Sequence, residues 1–210
     1  KRIVDMLHAF DIQMEDFRLK ESSTNVIDVD QIEGAPDSFR KVLTVLNEYL
    51  KSDEYKPTTE VMTVRKKYSG KKPADEIELK MEEESHGTQK LFAIAGFIVD
   101  ALDDGSTLFI DELESQLHPM VTKQIVKIFN SKETNKKNAQ LIFSTHDTNL
   151  LSELRRDQVW FTEKDKYGDS HLYSLVEYKN PRKDASLEKD YIKGKYGAIP
   201  FIGDFTTICK

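Results

Sequence analysis

Two short apolar runs constrain the fold more than any other feature of the chain. Thr107–Leu108–Phe109–Ile110 and Leu141–Ile142–Phe143 are each too short for a helix, and each ends abruptly in polar residues. Apolar helical patterns surround them: one from about Thr88 to Leu102, one from Pro119 through Val121, Ile125, Ile128 and Phe129, and a short one after Asp147. A further strand is expected near Gln158–Glu163. From residue 88 to 163 helix and strand therefore alternate, which predicts an α/β fold with a largely parallel sheet flanked by helices.

The chain before residue 60 does not share this order. Ile3, Val4, Leu7 and Phe10 suit one face of a short helix, and Pro36 opens a second whose stripe is Phe39, Val42, Leu43, Leu46, Tyr49 and Leu50. That stripe is expected to be core or the base of an arm. The helix should end near Lys51, with Pro57 closing the segment, and alternation at Ile12 and Met14 and again over Val26–Val29 leaves room for a strand or two within residues 11–30. From Val61 the period becomes two. Val61–Tyr68 and Glu76–Met81 read as strands joined by a Gly/Pro turn. A strand over Leu172–Tyr178 and a helix over Leu187–Lys195 are expected beyond.

Composition narrows the class. With 210 residues the chain makes one domain, or one with a small appendage. Its 11 Phe, 8 Tyr and 38% hydrophobic content exclude a wholly disordered chain. No stretch approaches the roughly 20 apolar residues of a membrane span. The single Cys209 cannot build a disulfide framework or a thiolate zinc site, and no apolar run follows Lys1 and Arg2 to make a signal peptide, so a cytoplasmic location is expected. A net charge of −6 argues against nucleic-acid binding over the whole surface and leaves a local patch open. The absent initiator Met predicts that Lys1 was not the first residue translated.

Three motifs carry chemistry. Asp111 and Glu112 stand at the C-terminal tip of the first apolar strand, where ligands bind in open parallel sheets. One carboxylate there can hold Mg²⁺, and the next can polarise an attacking water. An Asp-Glu pair that merely ends a strand is equally common. His146 follows the second strand in Phe143–Ser144–Thr145–His146–Asp147 and can donate to a phosphate oxygen. Such a His is more often structural when it stands alone. Ser85–His86–Gly87–Thr88–Gln89–Lys90 precedes an apolar helix, a place suited to an anion and equally to a plain N-cap.

In this order the set resembles the C-terminal lobe of ABC-type ATPase heads, the group that includes SMC and DNA-repair ATPases. Glu84–Thr88, Ile110–Leu113 with Leu117–His118–Pro119, Ser144–Leu151, Arg155–Phe161 and Lys195–Phe201 are similar to a bacterial subgroup, the AAA-type, ABC-like ATPases of abortive infection and phage defence. The resemblance covers about residues 58–205. It implies a P-loop NTPase-like fold, with Ser85, Gly87, Thr88 and Gln89 as the signature segment that touches ATP held by a partner subunit. It implies Asp111 as the Mg²⁺ carboxylate, Glu112 as the catalytic base and His146 as the switch residue sensing the γ-phosphate. ATP and Mg²⁺ are the cofactors implied, and a homodimer closed through the ATP sites is the implied assembly.

The chain departs from that family in two places. No Gly-x-x-x-x-Gly-Lys-[Ser/Thr] occurs; the only Gly-Lys pairs, Gly70–Lys71 and Gly194–Lys195, follow no apolar strand. A complete ATP site therefore requires a P-loop lobe from elsewhere, expected upstream of Lys1, and this chain alone is expected to be inactive. His86 also stands where a small residue is usual. Residues 1–57 are then expected to be a mainly helical insertion between lobes, and 58–210 the C-terminal lobe.

Other residues have two readings. His118 either reaches a nucleotide across a dimer or caps a helix. Arg155 and Arg156 either bind phosphate or nucleic acid, or complement the end of a short helix. Lys179–Lys183 is a small basic turn, by default solvated. Two other functions compete: a metal-dependent nuclease or phosphoesterase using Asp111, Glu112, Glu114, His118, His146 and Asp147, and a non-catalytic scaffold that dimerises or recruits an effector protein.

Overall fold

The computed structural model describes residues 1–21, 36–50, 52, 59–178 and 186–200. The expected strand at Val26–Val29, the helix end at Lys51, Pro57, the side chain of Phe39, the basic turn Lys179–Lys183, Phe201 and Cys209 lie outside the described residues. The chain divides into two compact units, Lys1–Ala95 and Gly96–Lys210. The division falls within one long helix.

The first unit opens with α1 (Arg2–Ala9), whose Val4 and Leu7 are buried at the spacing that one helical face requires. Strand β1 (Asp16–Glu21) pairs antiparallel with β2 (Thr59–Ser69), from Asp16 opposite Val64 to Glu21 opposite Thr59. Strand β2 turns directly into β3 (Lys72–Lys80). The two-residue turn Gly70–Lys71 is shorter than the Gly/Pro loop expected, because Gly70 adopts φ +64, the first-position geometry of a primed hairpin turn. This three-stranded sheet is antiparallel throughout, and its strand β1 lies within residues 11–30, the stretch of the mainly helical segment where a strand or two was expected as possible. Phe17 of β1 meets Phe92 edge to face at 5.1 Å.

Helix α2 (Asp37–Leu50) starts after Pro36 as expected. Its apolar stripe does not form one buried face: Leu43 is buried, but Val42, Leu46 and Tyr49 are exposed. Helix α3 (His86–Asp104) is longer at both ends than its apolar pattern.

The second unit holds the short strands β4 (Thr107–Ile110) and β5 (Gln140–Phe143), which pair parallel. Between them runs α4 (Pro119–Asn130), burying Thr122, Ile125, Val126 and Phe129. The strand expected at Gln158–Glu163 exists as β6 (Trp160–Lys164), but it does not extend the parallel sheet. It pairs antiparallel with β7 (Ser170–Ser174). Asp165 accepts from the N–H groups of Tyr167 and Asp169 through its side chain, and Gly168 takes φ +92, so the intervening residues close a hairpin. Among the described residues the parallel sheet is therefore two-stranded, a correction to the largely parallel sheet expected.

The last segment packs through aromatic rings. Val159, Phe161, Leu175 and Tyr196 form a buried cluster that also takes Tyr173, Tyr178 and Tyr191 from its rim. The Tyr196 carbonyl accepts from both the Tyr173 and Tyr178 hydroxyls at 2.8 Å. Helix α5 (Leu187–Ile192), capped by Ser186, ends sooner than expected because Gly194 takes φ +76 just beyond it.

Candidate active site

Parallel pairing places the carboxyl ends of β4 and β5 at the same end of the sheet, with Ile110 opposite Phe143. The residues that follow are Asp111–Glu112 and Ser144–Thr145–His146. The structure thus brings the two expected groups together.

Ser144 joins them. Its N–H donates to the Ile110 carbonyl (3.1 Å), and its own carbonyl accepts from the Leu113 N–H (3.1 Å). Its hydroxyl donates to Asp111 Oδ1 and accepts from the Glu112 N–H at 2.8 Å. Glu112 adopts φ +46, a left-handed conformation that costs a non-glycine residue roughly 1–2 kcal/mol. The Ser144 hydroxyl and the buried Leu113 side chain hold that turn. Asp111, Glu112 and His146 are all exposed at this tip. Strained backbone beside exposed carboxylates is common where a chain holds reactive groups.

The loop then folds back. Ser115 N donates to Glu112 O, Leu117 N to Glu114 O, and Gln116 takes φ +63. Glu114 is drawn inward, and its Oε1 accepts from the His146 N–H at 2.8 Å. Burial pushes this carboxyl up, but hydrogen bonding from the Thr145 side chain and the His146 N–H outweighs burial and holds it below the usual carboxylate range. Asp147 does something different. It caps the 3-10 turn Thr148–Ser152, its Oδ1 accepting from the Asn149 N–H and side-chain amide.

The signature-like segment sits in the first unit at the start of α3. Ser85 acts as a helix cap: its hydroxyl accepts from the Thr88 N–H (3.2 Å) and shares a hydrogen bond with the Thr88 hydroxyl (2.9 Å). Thr88 is buried, Gly87 half-buried, and Ser85 and His86 exposed. Gln89 turns back, its side-chain amide donating to the carbonyls of Glu84 (2.7 Å) and Glu82 (3.2 Å).

Glu84, just ahead of this segment, is buried and held from β2. It accepts from the Thr63 hydroxyl and from Arg65 Nε, both at 2.7 Å, and from Arg65 Nη2 at 2.5 Å. Burial raises the Glu84 carboxyl, but the fork of Arg65 and the Thr63 hydroxyl bring it below its ordinary value; the Arg65 guanidinium is raised in turn. Sequence reasoning assigned no role to Ser144 or Arg65, and it offered Glu114 only as a metal ligand. The acidic residue next to the strand-tip pair was the one signal pointing to Glu114.

The remaining candidates have local partners. His118 caps α4, its Nδ1 accepting from the Met120 N–H (3.2 Å). Arg155 pairs with Asp157 on the surface. Arg156 Nη2 donates to the carbonyls of Leu175 and Tyr178. It therefore complements the end of the short turn Leu175–Glu177, not of the turn in which it lies. Among the described residues no three His, Cys, Asp or Glu side chains converge to hold a metal ion. Mg²⁺ in nucleotide sites needs only one or two carboxylates, the rest coming from phosphate and water, and Asp111 is one exposed carboxylate at this tip. Among the described residues no helix is long and apolar enough to cross a membrane.

A family model described as "AAA domain, putative AbiEii toxin, Type IV TA system" matches residues 7–152, more than half of the chain. No curated protein matches it.

Proposed function

Because the chain belongs to this family of AAA-domain ATPases, we propose that it is the C-terminal lobe of an ABC-like ATPase head that acts as a conformational switch, in phage defence. Nucleotide binding and ATPase chemistry follow from the family at that level, with ATP and Mg²⁺. The observation that carries the finer reading is the tip shared by β4 and β5, where Ser144 joins the Asp111–Glu112 turn to the segment after β5 that carries His146.

In this reading Asp111 would hold Mg²⁺, which would supply charge neutralisation to the phosphates of ATP. Glu112, presented to solvent by its left-handed turn, accepts a hydrogen bond from the attacking water and orients it. His146 donates to the γ-phosphate. The exposed start of α3, with Ser85 and Gly87, closes the site on ATP held by a second head, and Thr88 and Gln89 shape that helix start. The P-loop, which residues 1–210 do not contain, comes from a second lobe of the same protein. ATP then joins two heads and hydrolysis releases them. A companion effector protein is the proposed recipient of that switch in a soluble, cytoplasmic setting.

The metal-dependent phosphoesterase reading loses support: of its six expected ligands, Glu114 is turned to a backbone N–H, and Asp147 and His118 are used as caps. The test is Glu112→Gln in the complete protein. Turnover should fall by at least 100-fold while ATP binding persists. Hydrolysis at the wild-type rate would remove Glu112 from the mechanism.

A further inference from the structure

Two links tie the tips of β4 and β5 together. The first, through Ser144, sets Asp111 and Glu112 against the end of β5. The second runs the other way, from the loop after β4 to the residues after β5: Glu114 Oε1 accepts from the His146 N–H, and the Thr145 side chain also hydrogen-bonds that carboxyl.

Glu114 is not an ordinary loop acid. Such an acid stays in water, because moving a carboxylate out of it costs several kcal/mol unless charge-assisted hydrogen bonds replace the lost hydration. Here Oε2 is shut off from solvent, while Oε1 takes the His146 N–H and the Thr145 side chain adds a hydrogen bond to the carboxyl. The loop that carries it is itself braced. Leu113, fully buried, anchors its start through a backbone bond to Ser144, and two successive turns fold Glu112–Leu117 onto itself. An acid held this way fixes where the chain turns at Thr145–His146. The acid nearest it in sequence after β5, Asp147, is spent on Asn149 and cannot do the same.

We propose that Glu114 is a positioning residue, which sets the backbone at His146 from the loop that follows Asp111 and Glu112. The proposal rests on the ATPase reading above for its consequence, that the base and the γ-phosphate sensor move as one unit. It rests on the geometry alone for the link itself. A shift of the Glu112–Leu117 loop is passed to His146 through the charge-assisted hydrogen bond from its N–H to Glu114. In that reading nucleotide affinity rests mainly on the P-loop and changes little.

The experiment uses the complete ATPase and compares Glu114→Ala, Glu114→Gln and Glu112→Gln. Glu114→Ala should lower kcat by about 10-fold or more with KM for ATP within twofold of wild type. Glu114→Gln keeps an acceptor oxygen for the His146 N–H and should recover most of kcat. Hydrogen exchange at the His146 amide should speed up at least 10-fold in Glu114→Ala and stay near wild type in Glu114→Gln, with or without nucleotide. Unchanged exchange at His146 in Glu114→Ala overturns the link, whatever the protein's activity. Faster exchange with unchanged kcat overturns the positioning role. Wild-type turnover in Glu112→Gln instead overturns the ATPase assignment, and the exchange result still decides the link.

Discussion

The Ser144 hydroxyl donates to Asp111 Oδ1 while accepting from the N–H of Glu112, so one side chain just beyond β5 sets the orientation of the carboxylates at the end of β4. Neither carboxylate is buried, so the arrangement owes little to packing and much to this hydroxyl. Ser144→Ala should cost at most about 1 kcal/mol of stability, since the freed groups can reach water. Turnover of the complete ATPase should fall about 10-fold, because Glu112 loses the support of its left-handed turn. Thermal melting and steady-state kinetics on the same preparation check both parts.

The Arg65–Glu84 pair makes a pH-dependent contribution. Glu84 is ionised in the folded state below its ordinary value of 4.5, so its stabilisation is present above that pH and lost as pH falls through the lowered folded value. Glu84→Gln should therefore be less stable than wild type at pH 7, by about 2 kcal/mol given the partial exposure of Arg65. The difference should shrink as pH falls below about 4.5. Denaturant melts at a series of pH values measure it.

Gly197 sits where the chain crosses the aromatic cluster, at φ +69. A Cβ there would stand 2.7 Å from the Tyr173 hydroxyl and 3.2 Å from Glu163 Oε2. Gly197→Ala adds left-handed strain to that clash and should destabilise by at least about 1–2 kcal/mol. Near-ultraviolet circular dichroism should show the tyrosine environment loosening.

His118 serves α4 as its cap. His118→Ala should cost about 1 kcal/mol, and His118→Asn, which supplies another capping oxygen, should restore most of it. ATP turnover should stay within twofold of wild type in both variants. A loss of turnover that Asn does not rescue would return His118 to the nucleotide.

The strand tips were legible because β4 and β5 are short apolar runs that stop at polar residues, a pattern that needs no knowledge of neighbours. Their parallel pairing followed from the helix between them. The fate of β6 was not legible in the same way. A strand's own residues do not name its partner, and the hairpin was written instead in Asp165 and Gly168. Helix α2 was visible from Pro36 and its periodicity, yet Val42 and Leu46 are exposed while Leu43 is buried, because period marks a face without saying that anything covers it. At the site, residue types exposed Asp111, Glu112 and His146 as a group. The roles of Ser144 and Glu114 depend on hydrogen bonds between residues about thirty positions apart, which no local pattern encodes.

In the proposed mechanism Glu112 completes an ATP site shared by two heads. Its most direct test is the mass of the complete Glu112→Gln protein in solution, by light scattering on a sizing column, with and without Mg²⁺-ATP. The expected result is a dimer that forms only with Mg²⁺-ATP and persists because hydrolysis is blocked, whereas the wild type returns to monomer as ATP is consumed. A Glu112→Gln protein whose mass does not respond to ATP, and which turns ATP over like wild type, would contradict it.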